Sequence, residues 1–199
     1  GKCDHYPISE TSASGPYARW PLGQGLDRYY GFLQSEIDNW RPQLTRDNSP
    51  IAPPAKADYH LSTDLADEAI AMLGAAAARQ DRAPFSMYWA TGAAHAPHHA
   101  PAEWIARYRG RFDMGWDKAR EMVLKRQIAQ GLVPATARLS PRPEGMPAWD
   151  SLSADQKRLY ARQMEVFAAA LSHADAQFGR ILDELEVRGE LANTMMIVT

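Results

Sequence analysis

What the chain lacks narrows it first. It has one cysteine, Cys3, so no disulfide can form within it and the redox compartment stays undecided. It has no excess of either charge. Its 22 Lys and Arg against 24 Asp and Glu give a formal net charge of −2, too weak a field to gather a polyanion such as nucleic acid. No apolar run approaches the roughly 20 residues of a membrane-spanning helix. There is no phosphate-binding glycine loop, no Gly-x-Ser-x-Gly elbow and no His-Glu-x-x-His pair. A self-contained active site of those kinds cannot be assembled from these residues.

What is present is ample for a core: 199 residues, 45% of them hydrophobic, with six tryptophans. That is one domain's worth of chain, or a large piece of a bigger one. The two ends favour the second reading. Gly1-Lys2 follows no initiator Met and no leader, and Asn193-Thr-Met-Met-Ile-Val-Thr199 reads as a core strand cut at its last residue. The expectation is an internal segment of a longer protein.

Residues 1–57 show no sustained period, and seven prolines from Pro7 to Pro54 break any helix there. Trp20, Tyr29, Tyr30, Phe32 and Trp40 are too many aromatics for a disordered tail, so an ordered, loop-rich region is expected, with a short strand over Arg28–Phe32. Leu65, Ala66, Ala69, Ile70, Leu73, Ala76 and Ala77 then make one apolar face of a helix capped by Thr63 or Asp64 and running to about Arg79. A turn leads to an apolar strand, Phe85–Ala90.

A short helix after Pro101 and another over Trp116–Gln130, stopped by Gly131, should follow, and then a proline-rich excursion over 133–150. Ser153-Ala-Asp-Gln156 is a capping box opening the longest helix. Its buried face is traced by Leu159, Gln163, Phe167, Ala170, Leu171, Ala174, Phe178, Ile181, Leu182 and Leu185 as far as the Gly189 stop. Two helix-then-strand units argue for an α/β sheet covered by helices, whose ligands sit beyond the carboxyl ends of its strands.

One such end carries Thr91-Gly-Ala-Ala-His95-Ala-Pro-His98-His99-Ala-Pro101, with half of the chain's six histidines in five residues. His95 is the leading candidate to hydrogen-bond an anion or protonate a leaving group. His98 and His99 suit a supporting role. A zinc site made by His95, His98 and His99 is the lesser alternative, since the prolines fix a spacing unlike that of a helix or a finger and no Cys or acid lies within the cluster. A second polar cluster, Lys2-Cys-Asp4-His5, offers a point charge for an oxyanion in Lys2. His173 and Asp175 stand two apart on the long helix and cannot share a face, so His173 is read as structural.

Taken together, these stretches carry a resemblance. Gly1-Lys-Cys-Asp-His-Tyr-Pro7, Glu10-Thr-Ser-Ala-Ser-Gly-Pro16, Arg19-Trp-Pro-Leu-Gly23, Tyr29-Tyr-Gly-Phe32, Ala90-Thr-Gly-Ala-Ala-His95-Ala-Pro-His-His-Ala-Pro101, Trp116-Asp-Lys118 and Pro147-Ala-Trp-Asp-Ser-Leu-Ser-Ala-Asp155 resemble, in order, the middle of type I sulfatases of the bacterial arylsulfatase kind. The resemblance runs through essentially all 199 residues.

It implies an alkaline-phosphatase-like α/β sandwich with a mixed, largely parallel sheet flanked by helices, of which residues 1–199 form an internal part. It implies hydrolysis of a small-molecule sulfate monoester by a formylglycine hydrate beside a calcium ion. By position, Lys2 would contact the sulfate and His95 the sulfate or the leaving oxygen. The formylglycine motif would lie before Gly1 and the calcium-binding Asp-Asn pair after Thr199, so this segment alone should be inactive.

One departure matters. The family places a His two residues after the Lys, and here that slot holds Asp4, with His5 one later. Either Asp4 serves as a substitute base, or a bulge brings His5 into the slot. The same superfamily cleaves phosphate and phosphonate esters, and the missing His also suits a non-catalytic relative, so both alternatives stand beside the sulfatase reading.

Overall fold

The computed structural model describes residues 1–3, 7–80 and 83–198. They divide into two compact units, one of residues 1–101 and 170–198 and the other of residues 102–169.

The first unit holds a three-stranded antiparallel sheet of β1 (Tyr30–Gly31), β2 (Leu44–Arg46) and β3 (Ser49–Ile51), in that order. Arg46 pairs with Ser49, so β2 and β3 are joined by a two-residue turn, and Asp47 takes the left-handed conformation there (φ 55°) that Asp tolerates better than most residues. Its carboxylate accepts the Tyr29 N–H (2.9 Å), which ties the turn to the start of β1. Tyr30, Phe32, Leu44, Tyr59, Leu61 and Leu65 form the core beneath the sheet.

The backbone of Gly1–Lys2 is wedged beside this sheet. Lys2 forms a parallel bridge with Phe32, the Phe32 N–H donates to the Gly1 carbonyl (3.3 Å), and the Lys2 N–H donates to the Ala90 carbonyl (2.8 Å). The approach is close enough to need glycine twice. A β-carbon on Gly31 would lie 2.0 Å from the Gly1 oxygen, and one on Gly1 would lie 2.3 Å from the Ala90 oxygen.

Helix α1 (Leu61–Ala77) buries Leu61, Leu65, Ala66, Ala69 and Leu73, the face expected from its period. Its cap differs from expectation. The helix starts three to four residues early, and His60 accepts the Ser62 N–H at Nδ1 (3.1 Å) in place of Thr63 or Asp64. Asp64 is instead buried inside the first turn, accepting the hydroxyls of Tyr30 and Tyr59. Burial first, and then this carboxylate, hold both phenols protonated well above the ordinary tyrosine range. The small Ala66 and Ala69 pack with Leu73, Ile181 and Leu185, the last two from the C-terminal half of α4 (Ala154–Val187).

Two expectations are corrected here. Phe85–Ala90 packs Met87 and Trp89 inward as a strand would, but its one backbone link to a neighbouring strand position is the bond to Lys2, and it forms no ladder among the described residues. Residues 191–193 form a single 3-10 turn, and Met195, Met196, Ile197 and Val198 are exposed, so this stretch is not a core strand; no described strand lies alongside to take its N–H and C=O groups. The sheet of the described residues is therefore antiparallel, with a parallel relation only at the Lys2–Phe32 bridge.

The second unit contains α2 (Ala102–Ala106), α3 (Gly115–Ala129) and the first half of α4. Trp149 packs edge-on against Trp116 (4.9 Å between ring centres) and over Gly115, where φ is 75° and a β-carbon would lie 2.1 Å from the indole. Asp117 accepts the Trp149 N–H (2.9 Å) and pairs with Arg142, which pins the proline-rich excursion. The capping box forms reciprocally, Ser153 N–H to Gln156 Oε1 (2.9 Å) and Gln156 N–H to Ser153 Oγ (3.2 Å). On α4 the expected face is right at Ala170, Ala174, Ile181 and Leu185 and wrong at Leu159, Gln163 and Leu171, which are exposed. Glu165 is the carboxylate buried on that helix, accepting the Gly110 N–H (2.7 Å) and pairing with Arg162.

Candidate functional site

Three stretches of the first unit meet at one edge: the backbone leaving Lys2, residues 36–40 after β1, and the histidine loop of residues 91–99. Lys2 and Phe32 run in parallel, so the chain leaves both bridged positions in the same direction. From the Phe32 side, Glu36 reaches His95 (Oε2 to Nδ1, 3.7 Å), and Asn39 reaches Pro97 and His99. Ala90, which accepts from Lys2, leads directly into the loop.

His95 stands on a tight turn closed by its own N–H to the Gly92 carbonyl (2.9 Å). Its Nδ1 lies 2.7 Å from the Ala96 carbonyl, an acceptor, so Nδ1 carries a proton. That leaves Nε2 as the atom that can work on a ligand, on a side chain that is 50% exposed. A ring anchored at one nitrogen and open at the other can donate to an oxyanion or return a proton to a leaving oxygen.

The other two histidines of the loop face inward. His98 Nε2 donates to the Ala94 carbonyl (3.2 Å) across the turn. His99 Nδ1 receives the Asn39 N–H (3.3 Å) and also lies 3.5 Å from Asp38. The N–H donor sets the tautomer, because the Asp38 oxygen already accepts the Trp40 and Arg41 N–H groups (2.7 and 3.0 Å). Burial would raise Asp38, but those two bonds, with the nearby Arg41 cation, hold it below the ordinary carboxylate range.

Behind the loop lies a cluster that sequence reading missed. His60, 4% exposed, has Trp40 edge-on at 4.8 Å and His173 edge-on at 4.4 Å. Its Nδ1 is taken by the Ser62 N–H, so its proton sits on Nε2 and is donated to the His99 carbonyl (3.3 Å). His173 accepts at Nε2 from Gln177 (3.3 Å) and lies 3.4 Å from Thr63 Oγ1. Burial, with the neighbouring His173, pushes His60 down to about 4; burial pushes His173 down to about 4 as well. Both rings are neutral at neutral pH. His173 is structural in this setting, as expected. A histidine before an apolar run is a poor signal for a helix cap, which is why His60 was not singled out.

Asp4 and His5 lie outside the described residues, so the slot that they contest is not described. Among the described residues no three His, Cys, Asp or Glu side chains come together to hold a metal ion. Nor does the sequence contain a Cys/Ser-x-Pro-x-Arg motif. Neither calcium nor formylglycine therefore has a seat on the residues described. No helix among the described residues is long and apolar enough to cross a membrane.

The family model described as Sulfatase matches residues 1–199. The chain is similar to an uncharacterised sulfatase of Schizosaccharomyces pombe, 33% identical over 157 residues, which are 78% of this chain and 28% of that protein. It is similar to an arylsulfatase of Klebsiella aerogenes, 27% identical over 161 residues, 81% of this chain and 33% of that protein. The chain thus spans no more than about a third of the length of these relatives.

Proposed function

The chain belongs to the sulfatase family, and from that premise we propose that it forms part of the active site of a sulfuric ester hydrolase acting on aryl sulfate monoesters. Lys2 and His95 are the two groups it contributes to the sulfate. The observation that carries the reading is the Lys2 N–H bond to the Ala90 carbonyl, which ties the Lys2 backbone to the stretch that leads into the His95 loop.

Each group has a distinct task. The Lys2 ammonium is a point charge that offsets the sulfate's negative oxygens as they crowd in the transition state. His95, with Nδ1–H held on the Ala96 carbonyl, presents Nε2. In its protonated form Nε2–H delivers a proton to the departing aryl oxygen, and it then holds that oxygen's hydrogen bond as neutral imidazole. A formylglycine hydrate would supply the nucleophile and a calcium ion would offset the sulfate's charge, and no described residue holds either. Asp4 or His5 would take the remaining proton transfer.

The test is a paired assay of the intact protein on an aryl sulfate and the matching aryl phosphate. The expected result is turnover of the sulfate with kcat/KM at least tenfold above that of the phosphate. Preference for the phosphate would place the protein among phosphate ester hydrolases, and inertness to both would make it a non-catalytic member.

A further inference from the structure

The first turn of α1 holds both ends of the loop that carries His95. At the near end, Ser62 Oγ and Thr91 Oγ1 share a hydrogen bond (3.2 Å), and Thr91 Oγ1 in turn accepts the Ala93 N–H (3.3 Å). At the far end, His60 Nε2–H donates to the His99 carbonyl (3.3 Å). Between these two attachments the loop carries its own short bonds, His95 N–H to Gly92 and His98 to Ala94, and is met by Asn39 Nδ2 at the Pro97 carbonyl (3.5 Å) and by Glu36 at His95 Nδ1 (3.7 Å).

The far attachment is part of a closed circuit. The Leu61 N–H donates to the Asn39 carbonyl (2.9 Å), the Asn39 N–H donates to His99 Nδ1 (3.3 Å), and His60 donates to the His99 carbonyl. His99 is thereby held at its ring and at its backbone by two neighbouring stretches. Trp40 and His173 pack edge-on against the His60 ring and fix its plane, and the Ser62 N–H fixes which nitrogen carries its proton. A buried neutral imidazole with one possible tautomer is a rigid strut.

We propose that His60 and Ser62 are positioning residues for His95, setting the place of its Nε2 by clamping residues 99 and 91 to the first turn of α1. This deepens the reading of His95 as a catalytic group and rests on it. Neither residue touches the substrate. Their effect is on the distance and angle at which a proton is passed, and an error of about 1 Å there costs on the order of a hundredfold.

The experiment separates clamp from cap, because His60 does both. His60→Asn keeps an N-cap acceptor for the Ser62 N–H but is too short to reach the His99 carbonyl; His60→Ala loses both. In the intact protein, His60→Asn should melt within a few degrees of wild type and yet lose roughly ten- to a hundredfold in kcat on an aryl sulfate, with little change in KM. His60→Ala should lose as much kcat and melt lower as well. Wild-type kcat in folded His60→Asn would reduce His60 to a helix cap and overturn the proposal. If His60→Asn does not fold, Ser62→Ala decides in the same way, since the cap uses the Ser62 backbone N–H and survives that change. Wild-type kcat in Ser62→Ala then overturns the proposal. The reading beneath is tested apart. Turnover retained in His95→Ala defeats the catalytic role of His95, whereas turnover lost there but kept in His60→Asn defeats the clamp alone.

Discussion

His95→Ala in the intact protein lowers turnover of an aryl sulfate by roughly a hundred- to ten-thousandfold, the range for removal of a positioned acid–base group. That corresponds to about 3 to 5 kcal/mol of barrier. The effect is large because an aryl oxide departs from sulfur with a developing negative charge, and the alanine variant leaves that charge to water. The loss should fall mainly on kcat, because the group acts as the bond breaks. It should also shrink as the leaving phenol becomes more acidic, since a good leaving group needs no proton. A uniform loss across phenols would place His95 on the sulfate oxygens, and activity within a few-fold of wild type would remove it from the mechanism.

Acid should weaken the fold before its carboxylates protonate. His60 and His173 are depressed from the ordinary 6.5 to about 4 in the folded protein, so the unfolded chain binds protons that the folded chain refuses. The sign follows. Their contribution is complete above pH about 6.5 and is lost as pH falls towards 4. The combined loss is on the order of a few kcal/mol, and less than additive because His60 is lowered in part by His173. Glu165 and Asp38, held below their ordinary values, lose their contributions only at lower pH. Denaturant midpoints measured from pH 7.5 to 4 should therefore fall across the histidine window. A flat profile down to pH 4 would mean that these imidazoles are not buried as described.

The helices were legible from local rules, and the site only in part. The capping box at Ser153 and the stop at Gly131 depend on a few neighbouring residues, and they formed where the pattern put them. His95 stands out in the sequence because prolines and small residues isolate it. His60 was not, because its role depends on Asn39 and His99, partners 21 and 39 positions away. Asp64 looked like a cap and became the acceptor for two tyrosines, since a hydroxyl 34 residues upstream reaches it. The two apolar stretches read as strands had the right composition, but a strand exists only with a partner, and composition does not name one. Leu159 and Leu171 mark the same limit on α4, where period predicts a face without saying how much of it is covered.

The central claim is that Lys2 and His95, 93 positions apart in sequence, serve one sulfate group. A double-mutant cycle on aryl sulfate turnover in the intact protein, with Lys2→Ala, His95→Ala and the pair together, tests it most directly. Groups acting on the same reacting centre predict large losses in each single variant and a double variant little worse than the poorer single. Losses that simply multiply, or a single variant with near wild-type turnover, would contradict it.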